Sequence, residues 1–116
     1  MSFDGSCHCG AVTFSVEGEV PTTAISCNCS HCRRKGLLLA FAPRSSFTLD
    51  SGEEALTTYL FNTHKIEHQF CGTCGTEPFA YGVNPDGTET SAINLRCVPS
   101  ADLDALELHR FDGASF

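Results

Sequence analysis

The sequence predicts a mainly β protein: a small antiparallel fold of many short strands with few short helical turns, held in part by metal. Three observations lead there. Along AVTFSVEG, residues 11–18, Val12, Phe14 and Val16 alternate with Thr13, Ser15 and Glu17, the period of a half-buried strand. Pro, Gly, Ser and Asn then cut the chain into short β-like pieces. Seven of the eight cysteines are gathered into three tight groups rather than scattered, and a thin core of this size gains from metal cross-links.

The remaining elements follow in order. A short helical turn starts at Ser30. LLLAFA, residues 37–42, is a short apolar run and predicts a strand buried on both faces. SFTLD (46–50) and LTTYLF (56–61) are further strands. In HKIEHQF (64–70), His64, Ile66, His68 and Phe70 share one face, and Lys65, Glu67 and Gln69 share the other. GVNPDGTETS (82–91) carries Asn-Pro-Asp-Gly, a tight turn between strands. SAINLRCV (91–98) is read as the last strand. Ser100 is read as the cap of a helical turn through DLDALEL, with Leu103 and Leu106 inward and Asp102 near its positive end.

A chain of 116 residues predicts one domain, residues 1–116, with roughly two-thirds of its surface buried on folding. There is no Trp and one Met but nine Phe, so Phe is the expected core filler. The formal net charge of −7 argues against a nucleic-acid partner, which needs a basic footprint, and against an anionic membrane surface. The N-terminal MSFDGSCHCGAV has neither a basic nor an apolar leader region. No apolar run approaches the roughly 18 residues needed to span a bilayer. The expected location is the cytoplasm, where thiols stay reduced and clustered cysteines point to metal before disulfides. The sequence sets no oligomeric state.

Cys7-His8-Cys9 is a C-x-C, and Cys71-Gly72-Thr73-Cys74 is a C-x-x-C followed by Gly75. Two cysteines at i and i+2 on a strand turn their sulfurs to the same side. A C-x-x-C with glycine folds into a tight turn whose free N–H groups can face the thiolates. Each pair supplies half of a tetrahedral four-sulfur site, for which zinc is the default ion and iron its main competitor. Cys27, Cys29 and Cys32 form a trio, C-x-C-x-x-C. Three sulfurs fit an open site with one position left for water or substrate. A closed site would need a fourth ligand, and Cys97, His31, His64 and His68 are candidates. Spacing alone does not pair the distant halves.

With SCHCGAV at 6–12, CNCSHCRRKG at 27–36, FCGTCGTEPF at 70–79, INLRCV at 93–98 and FDGAS at 111–115, the chain resembles the glutathione-dependent formaldehyde-activating enzyme family. The matching pieces run nearly end to end. The resemblance implies an Mss4-like, zinc-stabilised β fold with two zinc ions per chain. It implies that Cys7, Cys9, Cys71 and Cys74 hold a structural zinc, and that Cys27, Cys29 and Cys32 hold a catalytic one. It implies a carbon–sulfur lyase reaction read in reverse: addition of glutathione, or a similar small thiol, to formaldehyde or another small aldehyde. The rival from another class is a non-catalytic zinc module that binds glutathione or a protein partner.

The other candidate residues have two readings each. Arg33, Arg34 and Lys35 either form a solvated turn or offset the negative charge of a thiolate site and meet the carboxylates of glutathione. His64 and His68 either line a pocket or are half-buried, satisfied strand residues. His8 and His31 are read as spacers and Cys97 as a small core residue. Glu77 is either a general acid or base, or an exposed turn residue.

Overall fold

The computed structural model describes residues 1–61 and 65–115. Strands β1 (Ser2–Ser6) and β2 (Thr13–Glu17) pair antiparallel, and the loop between them carries Cys7 and Cys9. Strand β5 (Phe47–Ser51) pairs with the other edge of β2, giving a three-stranded sheet ordered β1-β2-β5. The expected alternation in β2 is present: Val12, Phe14 and Val16 are buried, and Thr13 and Ser15 are half-buried.

The second sheet contains β3 (Thr23–Cys27), β4 (Leu39–Pro43), β6 (Leu56–Tyr59), β7 (Glu67–Cys71), β8 (Phe79–Val83), β9 (Glu89–Asn94) and β10 (Glu107–Phe111). Its order is β10-β3-β4-β9-β8-β7-β6. All pairings are antiparallel except β10 with β3. Residues 95–106 cross over from β9 to bring β10 parallel beside β3. Between β8 and β9, Asn84 N–H reaches Thr88 O at 2.8 Å and Gly87 sits at φ 90°, so the Asn-Pro-Asp-Gly turn forms where the sequence places it.

Phenylalanine joins the two sheets. Phe14 and Phe47 from the small sheet meet Phe79 from the large one, with ring centroids 5.8 and 4.7 Å apart. All three are buried, as is Phe3. The fold is thus mainly β and largely antiparallel, as expected.

Four local expectations are corrected. SAINLRCV is not the last strand: β9 stops at Asn94, Leu95–Cys97 is a 3₁₀ turn, and β10 follows. Residues 100–106 form turns rather than a helical cap, with Asp102 accepting from Asp104 N–H and Leu103 left exposed. LLLAFA is not buried on both faces. Leu37 and Leu38 are buried ahead of β4, but Phe41 within it is 55% exposed, because one face of this antiparallel sheet meets solvent there. In HKIEHQF the strand begins only at Glu67, and Ile66 is exposed. His64 lies outside the described residues.

Candidate metal centres and buried charge cluster

Helix α1 (Ser30–Lys35) follows β3 directly. Cys29 caps it: its sulfur accepts the Cys32 N–H at 3.3 Å, and Gly36 closes the other end at φ 67°. Cys27 ends β3, Cys29 is the cap and Cys32 lies in the first turn, so one strand-to-helix transition brings three sulfurs together. They lie within 4.8 Å of one another. Among the described residues no fourth His, Cys, Asp or Glu ligand atom joins them within that distance. The sulfur of Cys27 accepts the Cys29 N–H at 3.4 Å. Burial raises the Cys29 thiol, but the N–H of Cys32 and the neighbouring sulfurs outweigh it and hold the thiol below its ordinary value. Burial pushes Cys32 well up. Of these two thiols, Cys29 is the more readily ionised.

The C-terminal segment covers this trio. Asn28 N–H donates to Phe111 O at 3.1 Å, its side-chain amide donates to Asp112 at 3.0 Å, and its side-chain oxygen accepts Ala114 N–H at 2.9 Å. A Cβ at Gly113 would lie 2.5 Å from the Cys27 sulfur and 3.3 Å from Cys29 Cβ. Gly113→Ala is expected to weaken metal binding at the trio by about tenfold, since overpacking by one methyl costs about 1–3 kcal/mol. Competition with a chromophoric chelator measures it. An unchanged affinity would mean that the segment swings clear of the sulfurs.

The other four cysteines converge from two loops. Cys7 and Cys9 lie in the turn after β1, not on a strand, so the strand argument for their common side is replaced by a turn: Gly10 N–H reaches Cys7 O at 3.3 Å, with Gly10 at φ 83°. Cys71 ends β7, and Gly75 N–H returns to Cys71 O at 2.8 Å. Backbone N–H groups of Val12 and Thr73 point at the sulfurs of Cys7 and Cys71, each at 3.4 Å. All four sulfurs lie within 4.8 Å of one another, with Cys7–Cys9 at 3.6 Å and Cys9–Cys71 at 3.7 Å. Tetrahedral zinc with Zn–S near 2.3 Å requires sulfurs about 3.8 Å apart, so the set fits that ion. Protonation tells the same story. The Thr76 hydroxyl and N–H lower the Cys74 thiol to about 5. At Cys9 the Ala11 N–H lowers the thiol, yet burial and three neighbouring sulfurs carry it up to about 11. Four sulfurs this close do not all ionise without a cation. None of the eight cysteines is disulfide-bonded.

A third group was not legible in the sequence. Glu77, read as a general acid or base or as an exposed turn residue, is buried, its side chain 1% exposed. It precedes Pro78, which favours extended backbone, and its carbonyl accepts from Asn94 Nδ2 at 3.0 Å. Its carboxylate receives Lys35 Nζ at 3.0 Å and His68 Nδ1 at 2.9 Å. His31 Nε2 lies 3.2 Å from Oε1. Burial pushes the Glu77 carboxyl up, and the bonds from His68 and Lys35 overcome it, holding it below its ordinary value. Burial lowers His31 and keeps its ring neutral. His31 is therefore no spacer. It is buried, stacks on Tyr59 and Phe61, and lies tilted against the His68 ring. His68 is buried rather than half-buried, with only Nδ1 partnered. No spacing rule links positions 31, 68 and 77.

The basic run divides. Lys35 is committed to Glu77 and lies over the Phe70 ring. Arg34 bonds Ser30 O at 2.9 Å, and Arg33 is exposed. A groove of about 490 Å³ runs between Arg34, His31, Tyr59, Phe61 and Phe70. A smaller cavity of about 200 Å³ lies against Cys27, Asn28 and Phe111. Cys97 is half-buried in its 3₁₀ turn, where burial raises its thiol to about 11 and Asn94 donates to its sulfur.

Fold and sites together define a small β-sheet protein with two thiol clusters able to hold metal ions. No helix among the described residues is long and apolar enough to cross a membrane. The family model for the glutathione-dependent formaldehyde-activating enzyme matches residues 2–107, and the chain belongs to that family. The crystal structure of a Rhodobacter sphaeroides protein is similar at 34% identity, covering 91% of this chain and 99% of that one, with a TM-score of 0.77.

Proposed function

We propose that the chain is a cytoplasmic zinc-dependent enzyme of the carbon–sulfur lyase type, folded as one domain over residues 1–116. It adds glutathione, or a similar small thiol, to formaldehyde or another small aldehyde. The observation that supports this reading is the unequal pair of clusters: four converging sulfurs in one, and three in the other with no fourth ligand atom among the described residues. In this reading Cys7, Cys9, Cys71 and Cys74 hold a structural zinc, and Cys27, Cys29 and Cys32 hold a catalytic one.

Zinc bound by three thiolates, when present, keeps a substrate thiol deprotonated near neutral pH. The chain's own residues prepare the rest. The Cys32 N–H bonds the Cys29 sulfur and favours its thiolate form, and the Cys29 N–H bonds the sulfur of Cys27. Gly113 packs against the Cys27 sulfur, and a cavity of about 200 Å³ lies beside Cys27. That cavity suits a small aldehyde. Arg33 and Arg34 stay exposed on α1 and can meet the carboxylates of glutathione. The new bond joins the thiol sulfur to the carbonyl carbon, and the carbonyl oxygen takes up the proton that the thiol released.

Zinc counted per chain under reducing conditions, with and without glutathione, tests this. Two equivalents are expected, one of them responding to glutathione. Cys29→Ser is expected to lose that one while the far-ultraviolet circular dichroism stays unchanged. Two zincs indifferent to glutathione would overturn the enzyme reading in favour of a zinc module that binds a protein partner.

A further inference from the structure

We propose that His31, His68 and Glu77 form a third divalent metal site, ligated by nitrogen and oxygen and separate from both cysteine clusters. The three come from α1, β7 and the segment leading into β8. Each offers a ligand atom within 4.8 Å of the other two, and all three residues are buried. Two imidazoles and a carboxylate are a set that divalent first-row ions take. Such ions bind these groups at about 2.0–2.2 Å, so the set needs only a small side-chain adjustment to close on one ion.

The unmet hydrogen bonds point the same way. With Glu77 ionised, His68 Nδ1 must donate to it, and this leaves His68 Nε2 carrying an inward lone pair. That nitrogen has no partner, and neither has His31 Nδ1, while His31 Nε2 lies 3.2 Å from Glu77 Oε1. A buried polar group left unsatisfied costs about 1–3 kcal/mol. Two such atoms lie on two rings whose centroids are 3.9 Å apart. A cation satisfies lone pairs on both rings at once.

The competing charge is Lys35. Its ammonium sits 3.0 Å from Glu77 Oε1, but its side chain is 32% exposed and can withdraw to solvent. Lys35 and the ion are then alternative partners of one carboxylate. The thiolate clusters favour soft zinc, whereas imidazole and carboxylate also accept cobalt, iron or manganese. The site is independent of the proposed reaction.

The test uses the intact chain loaded with two equivalents of zinc, which the thiolate clusters take first, then titrated with cobalt(II). One further equivalent is expected. Its visible spectrum should lack the sulfur-to-cobalt charge transfer that marks thiolate ligands. His68→Gln and Glu77→Gln should each weaken it at least tenfold, by about the loss of one ligand, while the cysteine-bound zinc is retained. Lys35→Met should tighten it about tenfold by removing a like charge a few ångströms away. A gain of binding cannot be produced by unfolding. The proposal is overturned if neither the parent nor Lys35→Met takes up the extra cobalt. It is equally overturned if the extra equivalent survives both ligand substitutions, or if its spectrum shows sulfur ligation.

Discussion

Cys71→Ser is expected to abolish the cooperative folded state. Cys71 is fully buried at the end of β7, where its sulfur accepts Thr73 N–H and lies 3.7 Å from that of Cys9. Through this cluster the loop after β1, in the small sheet, is tied to the β7–β8 turn in the large one. The ligands of a structural zinc contribute about 10–16 kcal/mol of apparent binding energy in small zinc domains. The whole stability of a domain this size is about 5–15 kcal/mol. Losing one of four ligands should therefore leave too little to fold. A thermal scan should show no sigmoidal transition, and a strong chelator should do the same to the parent. Cys29→Ser, by contrast, should melt cooperatively. A Cys71→Ser chain that melts like the parent would show that this cluster does not hold the fold together.

Glu77 is the second position where one side chain should matter greatly. Replacing it by Ala leaves Lys35 without its carboxylate and His68 Nδ1 without an acceptor inside the protein. Breaking a buried ion pair from one side costs about 3–5 kcal/mol, measurable by urea denaturation. The pH dependence has a definite sign. The folded Glu77 carboxyl lies below its ordinary value of 4.5. Its contribution is therefore present in full above that pH and is lost as pH falls through the folded value. Stability of the parent should drop below about pH 4.5 more steeply than that of Glu77→Gln, which has no proton to take up. Acid also strips thiolate-bound metal, but it does so in both proteins, and the difference isolates the carboxylate. Parallel acid limbs would remove Glu77 from the account.

What was readable in advance was local. The alternation of Val12, Phe14 and Val16 marked β2 because side chains on a strand alternate by geometry. Asn84–Gly87 marked a turn because glycine tolerates positive φ. The helix from Ser30 was visible, although its cap proved to be Cys29, a site ligand at the same time. Where the sequence failed locally, a competing tertiary demand won. LLLAFA has the composition of a strand buried on both faces, yet Phe41 is exposed on the face of β4 that points away from the core. DLDALEL has a helical spacing of leucines, yet it serves as a crossover whose end must join β10 beside β3.

The sequence by itself determined the mainly β class, the three cysteine groups and their order, and the count of three against four sulfurs. Each is a matter of spacing along the chain, which fixed backbone geometry translates directly into direction. Only the tertiary structure decided that Cys7 and Cys9 meet Cys71 and Cys74, which spacing had left open and family resemblance had implied. Only it placed Gly113 against Cys27, and only it gathered His31, His68 and Glu77 around Lys35. Those meetings join residues dozens of positions apart. They are set by how two sheets pack through Phe14, Phe47 and Phe79, and no local pattern encodes that.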